Sequence, residues 1–336
     1  MTRAMITGIT GMVGSHLADY LLAHTGWEIY GMCRWRSPQD NVRHLLRRAE
    51  KKDRLHFIYG DLKDSFSLQK ALTEAKPDYV FHLAAQSYPR TSFDAPLDTL
   101  DTNILGTARL LEAIRACGLN PIIHVCSSSE VYGRVSADKL PINEDCLIHG
   151  ASPYAISKIG TDHLGRFYAE AYGMKIMTTR MFTHTGPRRG DVFVESSFAK
   201  QIALIETGLI EPVIKVGNLK SMRTWADVRD AVRAYYLLAT VNPCPGEVYN
   251  IGGAYSCTVG EMLQFLLSIA ALPGHVDIIE DKERLRPLDA DLQVPDTKKF
   301  TAHTGWRPEI AFEQTMTDLL MYWRKKISRE GMVLTR

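Results

Sequence analysis

Tyr154 and Lys158 stand four residues apart in the run Ser152-Pro153-Tyr154-Ala155-Ile156-Ser157-Lys158. On a helix that spacing places both on one face, with Cβ atoms roughly 6 Å apart. A phenol titrates near pH ~10 and is a poor base at neutrality, but a neighbouring ammonium favours the phenolate, each tenfold gain in acidity being worth about 1.4 kcal/mol. The same spacing is equally that of an ordinary surface helix pair, so the context decides. Upstream lies Ser127-Ser128-Ser129-Glu130, a run of hydroxyls ending in a carboxylate, directly after a strand-like stretch.

The N-terminus supplies a second chemical feature. Ala4-Met5-Ile6-Thr7 reads as a short buried strand, followed by Gly8-Ile9-Thr10-Gly11-Met12-Val13-Gly14 and an amphipathic helix carrying Val13, Leu17, Tyr20, Leu21 and Leu22. The glycines are spaced G-x2-G-x2-G, not the G-x-G-x-x-G of the standard dinucleotide fingerprint. The physics is shared: a tight turn, close backbone approach to a pyrophosphate, and helix N-terminal amides facing the anion.

The elements that must position these groups follow from the whole chain. With 336 residues, 45 % of them hydrophobic, it can bury a large core in one big domain or two lobes. A formal charge of +2, with 23 % charged residues, argues against a dedicated nucleic-acid or membrane-surface binder. No apolar run approaches the ~20 residues of a membrane span, and Met1-Thr2-Arg3 runs straight into a strand without room for a signal peptide, so a cytoplasmic location is expected. The six cysteines lack any C-x2-C pattern and read as reduced packing thiols; the scattered histidines read as structural or surface residues, and no metal site is expected.

Further strand-like runs occur at Ile29–Cys33, Leu55–Tyr59, Tyr79–Leu83 and Ile122–Cys126, with helices over about 41–50, 65–75 and 98–117 between them. The alternation predicts an α/β fold, a Rossmann-type doubly wound parallel sheet with right-handed crossovers. Ligands in such sheets sit beyond the carboxyl ends of the strands. There fall Gly8–Gly14, Arg34, Asp61, Ala84-Ala85-Gln86 and Ser127–Glu130, five strand ends converging on one edge. Residues 1–180 are read as the cofactor domain, with a late strand contributed from about 245–252. Residues 181–330 form a smaller, interleaved α/β substrate lobe with helices near 195–207, 226–240, 258–270 and 311–327.

The chain resembles the extended short-chain dehydrogenase/reductase family, in its sugar-nucleotide-modifying branch, over nearly its full length. The marks are Thr7-Gly8-x2-Gly11-x2-Gly14, Gly60-Asp61-Leu62, His82-Leu83-Ala84-Ala85-Gln86-Ser87, Asn103-x2-Gly106-Thr107, Ser127-Ser128-Ser129-Glu130-Val131-Tyr132-Gly133 and Tyr154-x3-Lys158. It looks most like the GDP-mannose 4,6-dehydratases and their partner GDP-4-keto-6-deoxy-mannose reductases. The resemblance implies Tyr154 as acid/base at the sugar C4 hydroxyl, Lys158 lowering its pKa and bonding the nicotinamide ribose, Ser128 orienting the 4-oxygen, and Glu130 as the C5 base. Such a base is chemically necessary, since a C4 ketone makes the C5 hydrogen acidic. Glu130 could alternatively pair with a neighbouring base or cap a loop.

The resemblance also implies a cofactor site of Gly8, Gly11, Met12, Val13, Gly14, Asp61, Leu62, Leu83, Ala84 and Ala85, with Asp61 equally able to serve as a turn residue. Strand two ends in Cys33-Arg34-Trp35-Arg36-Ser37, with no acid until Asp40. Arg34 and Arg36 favour the 2′-phosphate of NADP over NAD, because guanidinium groups bind phosphate bidentately. They also fit a solvated basic loop. The substrate residues implied are Ser87, Ser129, Thr183, Arg189, Val194, Asn218, Arg223 and Arg286. The two last-named arginines match diphosphate binders, or alternatively pair with Asp227 or Asp289. Thr183 stands where the dehydratase motif has Asn, Ser197 replaces a basic residue, and Phe198-Ala199-Lys200-Gln201 is more reductase-like.

Three activities are therefore compatible: a GDP-sugar 4,6-dehydratase as the main reading, a 4-keto reductase or C4 epimerase as the alternative, and a non-catalytic dinucleotide-binding regulator as the remote one. A homodimer or homotetramer is expected, dimers pairing helices near 98–117 and 154–171 into a four-helix bundle.

Overall fold

The computed structural model describes residues 1–51, 53–288 and 290–331. Its strands are β1 (Arg3–Thr7), β2 (Glu28–Cys33), β3 (Leu55–Tyr59), β4 (Tyr79–His82), β5 (Ile122–Cys126), β6 (Lys175–Met181), β7 (His184–Thr185), β8 (Val213–Val216), β9 (Met222–Asp227), β10 (Val248–Ile251), β11 (Tyr255–Thr258), β12 (Asp277–Glu280) and β13 (Leu292–Gln293). Seven make one sheet in the order β10-β6-β5-β4-β1-β2-β3, every pairing parallel. The chain winds outward through β1, β2 and β3, then returns to place β4 on the other side of β1. That reversal is the topological switch point where such sheets bind ligands.

Helices cover both faces, which is why the strands read as nearly continuous apolar runs. On one face, Met12–His24 and Val228–Thr240 bury Leu17, Leu21, Val232 and Tyr235 against Ile6, Ile29 and Phe81. On the other, Ser65–Ala75, Gly106–Ala116 and Pro153–Tyr172 bury Leu68, Leu110 and Tyr168 against Met5, Val80 and Val125. Val228–Thr240 falls in the segment that the sequence assigns to the substrate lobe, yet it packs on the sheet. Its apolar face had nothing in the sequence to say which partner it would bury against.

Local chemistry sets the helix ends. Ser152 caps Pro153–Tyr172 by accepting from the Ala155 amide at 3.0 Å, with Pro153 in the first turn and Gly173 closing the helix at φ +63°. Asp64 likewise caps Ser65–Ala75 through the Phe66 amide. The helix expected over 98–117 consists of Pro96–Leu100, a π turn over Asp101–Leu105, and Gly106–Ala116. The remaining sheets, β11-β9-β13 with β7 beside β9, and β12-β8, belong to a second core. It includes Phe198, Ile202, Trp225, Met262, Leu263, Met316 and Trp323. No helix among the described residues is long and apolar enough to cross a membrane.

Candidate active site

The carboxyl ends of β1 to β6 and the loops of the second core enclose a cleft of about 730 Å³. At its floor the Gly8–Gly14 turn is built for close approach. Gly8 has φ +75°, and a Cβ there would stand 2.9 Å from the Ala84 Cα across the switch point. A Cβ on Gly14 would stand 2.4 Å from the Gly8 carbonyl oxygen. Gly11 caps Met12–His24 without a side-chain bond, so the first-turn amides of that helix are offered to an anion rather than to a capping side chain.

A buried relay fixes the opposite wall. The Leu83 and Ala84 amides donate to Thr7 Oγ1 at 3.0 and 3.1 Å, and Thr7 Oγ1 in turn donates to His82 Nδ1 at 3.0 Å. His82 Nε2 donates to Thr107 Oγ1, 3.0 Å away, whose own hydrogen goes to the Asn103 carbonyl at 2.6 Å. Burial, reinforced by Lys158, lowers the His82 pKa to about 3, so the ring is neutral and keeps this donor order. The π turn presents Asn103, whose amide brackets Gln86 N (2.8 Å) and Gln86 O (2.9 Å) and also donates to Ser157 Oγ at 2.8 Å. The loop Leu83–Ser87 is thus locked to the helix carrying Tyr154 and Lys158.

Tyr154 and Lys158 are both buried and both line the cleft. The Lys158 ammonium donates to the Cys126 carbonyl at 2.8 Å and lies 6.0 Å from the centroid of the Tyr154 ring. Burial dominates and raises the Tyr154 pKa, while a hydrogen bond with Ser128 and the positive charge of Arg189 oppose the rise and Glu130 adds to it. Lys158 itself is pushed down by burial.

Ser128 is an N-cap, its hydroxyl accepting from the Glu130 amide at 3.2 Å, and it opens the short 3₁₀ turn Ser129–Tyr132. That turn is anchored from beneath: Tyr132 donates to Asn250 Oδ1 at 2.7 Å and accepts from Arg180 at 3.0 Å. Arg180 is held by Asp162 through bonds of 2.8 and 3.2 Å. The Glu130 carboxylate lies 3.5 Å from an Arg286 nitrogen, so the pairing weighed from the sequence is present.

Of the remaining expected residues, Met12, Val13, Arg34, Asp61, Leu62, Leu83, Ala84, Ala85, Ser87, Ser129, Thr183, Arg189, Val194, Asn218, Arg223 and Arg286 all line the same cleft. Arg36 does not: it is exposed, and Ser37, Pro38 and Asn41 line the wall beside Arg34 instead. Arg189 bonds Glu195 at 3.0 Å and stacks 3.4 Å above the Phe193 ring. Asn218 donates to Ser221 and Asp291. Arg223 donates to the Ala290 carbonyl, while Asp227 is taken by Arg229 and Thr315; Asp289 lies outside the described residues. Sequence reasoning missed Arg188 and Arg284, both in the lining, Arg284 donating to Ser197 Oγ at 3.0 Å. Proximity of Arg284 to Arg286 was the available signal.

A glycine turn at the switch point of a doubly wound sheet, facing a Ser-Tyr-Lys group, defines an enzyme of the extended short-chain dehydrogenase/reductase class. The family model described as GDP-mannose 4,6 dehydratase matches residues 5–319, so the chain belongs to that family. GDP-6-deoxy-D-mannose reductase of Pseudomonas aeruginosa is 32 % identical, covering 98 % of this chain and 99 % of its own. GDP-mannose 4,6-dehydratase of Vibrio cholerae is 33 % identical, covering 98 % and 96 %. The human GDP-mannose 4,6 dehydratase is 31 % identical, covering 94 % and 90 %. Among solved structures, RMD from Pseudomonas aeruginosa complexed with NADPH superposes with a TM-score of 0.81 at 30 % identity, over 97 % of this chain and 100 % of that one. UDP-glucose 4-epimerase of Thermotoga maritima superposes with a TM-score of 0.82 at 26 % identity, over 96 % and 99 %.

Proposed function

We propose that this protein is an NADP-dependent 4,6-dehydratase of a GDP-sugar such as GDP-mannose. The observation that carries the reading is the convergence of Ser128, Glu130, Tyr154 and Lys158 in one cleft with the Gly8–Gly14 cradle. Bound NADP supplies the acceptor for hydride from C4 and the donor that returns it to C6. Its pyrophosphate would rest on the Gly11–Gly14 amides, and Arg34 would meet its 2′-phosphate.

Tyr154, as the phenolate that the Lys158 ammonium on the same helical face would favour against burial, would take the proton of the C4 hydroxyl, with Ser128 holding the 4-oxygen and Lys158 also bonding the nicotinamide ribose. Glu130 would remove the C5 proton, now acidic beside the ketone, and pass it to the departing C6 hydroxyl, which leaves as water. As hydride returns to C6, C5 would take a solvent-exchanged proton, the one that Tyr154 gained from C4 being released to solvent. Arg223 and Arg286 would neutralise the diphosphate. Exchange of Arg286 from Glu130 to that anion would free the carboxylate for C5. A reductase is the second reading, favoured by the Glu130–Arg286 pair and the Phe198–Gln201 run.

The test is incubation with GDP-mannose and catalytic NADP in deuterated water, read by mass spectrometry. A product lighter by one water, with deuterium at C5 and no net NADPH, supports the dehydratase. Turnover of a 4-keto-6-deoxy sugar nucleotide with stoichiometric NADPH loss makes it the reductase.

The two long helices leave Leu97, Leu105, Ile156 and Phe167 exposed, which supports a homodimer built on them. All six cysteines are free, in keeping with a cytoplasmic enzyme.

A further inference from the structure

The loop from Gly186 to Asp191 holds two consecutive arginines that both line the cleft but bond different partners. Arg189 lies in the cleft, where its charge acts on Tyr154. Arg188 reaches the helix Met12–His24: its guanidinium meets Asp19 Oδ2 at 2.7 Å and donates to Ser15 Oγ at 3.2 Å. Ser15 and Asp19, four residues apart, share one helical face. Between them in sequence, His16 donates from Nε2 to the Pro187 carbonyl at 3.0 Å. A carbonyl only accepts, which fixes that tautomer. Burial first and then the Arg188 charge hold the His16 pKa down at about 4, so the ring remains neutral.

Arg188 sits at φ +72°, a conformation that costs a residue with a Cβ and persists only where its surroundings impose it. On the far side the loop is tied to the second core: Ser196 donates to the Arg189 carbonyl at 2.8 Å, and Lys200 pairs with Asp191 at 2.7 Å. One short loop therefore bridges the helix whose N-terminus forms the cradle and the lobe that faces Tyr154.

We propose that Arg188 is a positioning residue that couples the cofactor helix to Arg189, so that cofactor binding at the cradle orders the substrate-side loop. The inference rests on the Gly8–Gly14 turn being the NADP pyrophosphate site. It does not depend on which sugar nucleotide is turned over.

The test is amide hydrogen exchange of the whole protein with and without NADP, in the native chain, Arg188→Gly, Asp19→Asn and Arg188→Lys. Glycine accepts φ +72° without strain, so Arg188→Gly removes the guanidinium while leaving the turn allowed. NADP is expected to slow exchange over 8–20 in all four proteins. Over 186–193 it should slow exchange about 5-fold or more in the native chain, the lower end of ordinary couplings between sites. That second slowing should vanish in Arg188→Gly and Asp19→Asn and persist in Arg188→Lys, which retains the Asp19 pair. Equal slowing over 186–193 in Arg188→Gly, its absence in the native chain, or loss of slowing over 8–20 in the variants overturns the proposal. None of these outcomes requires a GDP-sugar, so they are distinguishable from failure of the dehydratase reading.

Discussion

The strongest lever on the site lies beneath it. Arg180 is 2 % exposed and Asp162 is fully buried, joined by bonds of 2.8 and 3.2 Å, and Arg180 also donates to Tyr132 and to the Glu144 carbonyl. Asp162→Asn preserves shape but leaves the guanidinium buried without its carboxylate. Breaking one side of such a pair costs about 3–5 kcal/mol. The two contacts that survive set the expectation near the lower end, about 3 kcal/mol. Against a typical stability of about 5–15 kcal/mol this is a large fraction. Replacing both partners by apolar residues, Asp162→Leu with Arg180→Met, removes the stranded charge. It still deprives Tyr132 and Glu144 of a donor, at about 1–3 kcal/mol. The double variant should therefore be no less stable than Asp162→Asn, in spite of carrying two substitutions. Urea unfolding followed by tryptophan fluorescence reads this as a midpoint change at constant slope. Because Tyr132 ends the turn that begins at Ser129 and contains Glu130, kcat should fall more than NADP affinity in Asp162→Asn. A single variant within about 1 kcal/mol of the native protein, or a double variant clearly less stable than the single one, would refute the reasoning.

Three other outcomes follow from the geometry. His124 is fully buried, with its pKa lowered to about 3 by burial first and then by His82 and Lys158. A histidine kept neutral in the fold contributes stability that is complete above its unfolded pKa of ~6.5 and is lost as pH falls from there toward its folded value. His124→Phe should accordingly reduce the loss of unfolding free energy between pH ~7 and ~5.5 by about 1.3 kcal/mol; an unchanged acid slope counts against it. Gly14→Ala, whose Cβ meets the Gly8 carbonyl oxygen at 2.4 Å, should weaken NADP at least about 10-fold in a calorimetric titration, or about 1.4 kcal/mol. Gly11→Ala, with that oxygen at 3.3 Å, should do much less, and equal effects would sink the cradle argument. Arg34→Ala should weaken NADP relative to NAD by about 1.5–3 kcal/mol, the range for hydrogen bonds to charged groups, while Arg36→Ala, off the cleft, leaves the ratio unchanged.

What the sequence made legible was what is local or periodic. β3 and β5 span the predicted residues, and the helix predicted over 65–75 is Ser65–Ala75, because apolar alternation and an Asp64 cap are short-range signals. The strand ends could be read too, since a parallel sheet places the residue after each strand on one edge; Gly8, Arg34, Asp61, Ala84 and Ser128 meet there for that reason. What stayed hidden depends on pairings across long sequence separation. Nothing near Asp162 announces Arg180 as its partner, or Tyr132 as the group both serve. Arg36 looks interchangeable with Arg34 until the chain turns between them and leaves one on the cleft. The Tyr154–Lys158 spacing puts the ammonium 6.0 Å from the centroid of the phenol ring, but its hydrogen bond to the Cys126 carbonyl at 2.8 Å was not readable from the helix. Spacing on a helix brings two side chains to one face. Which of several available acceptors a buried cation chooses is decided by the neighbouring strand, and no motif on the helix itself encodes that choice.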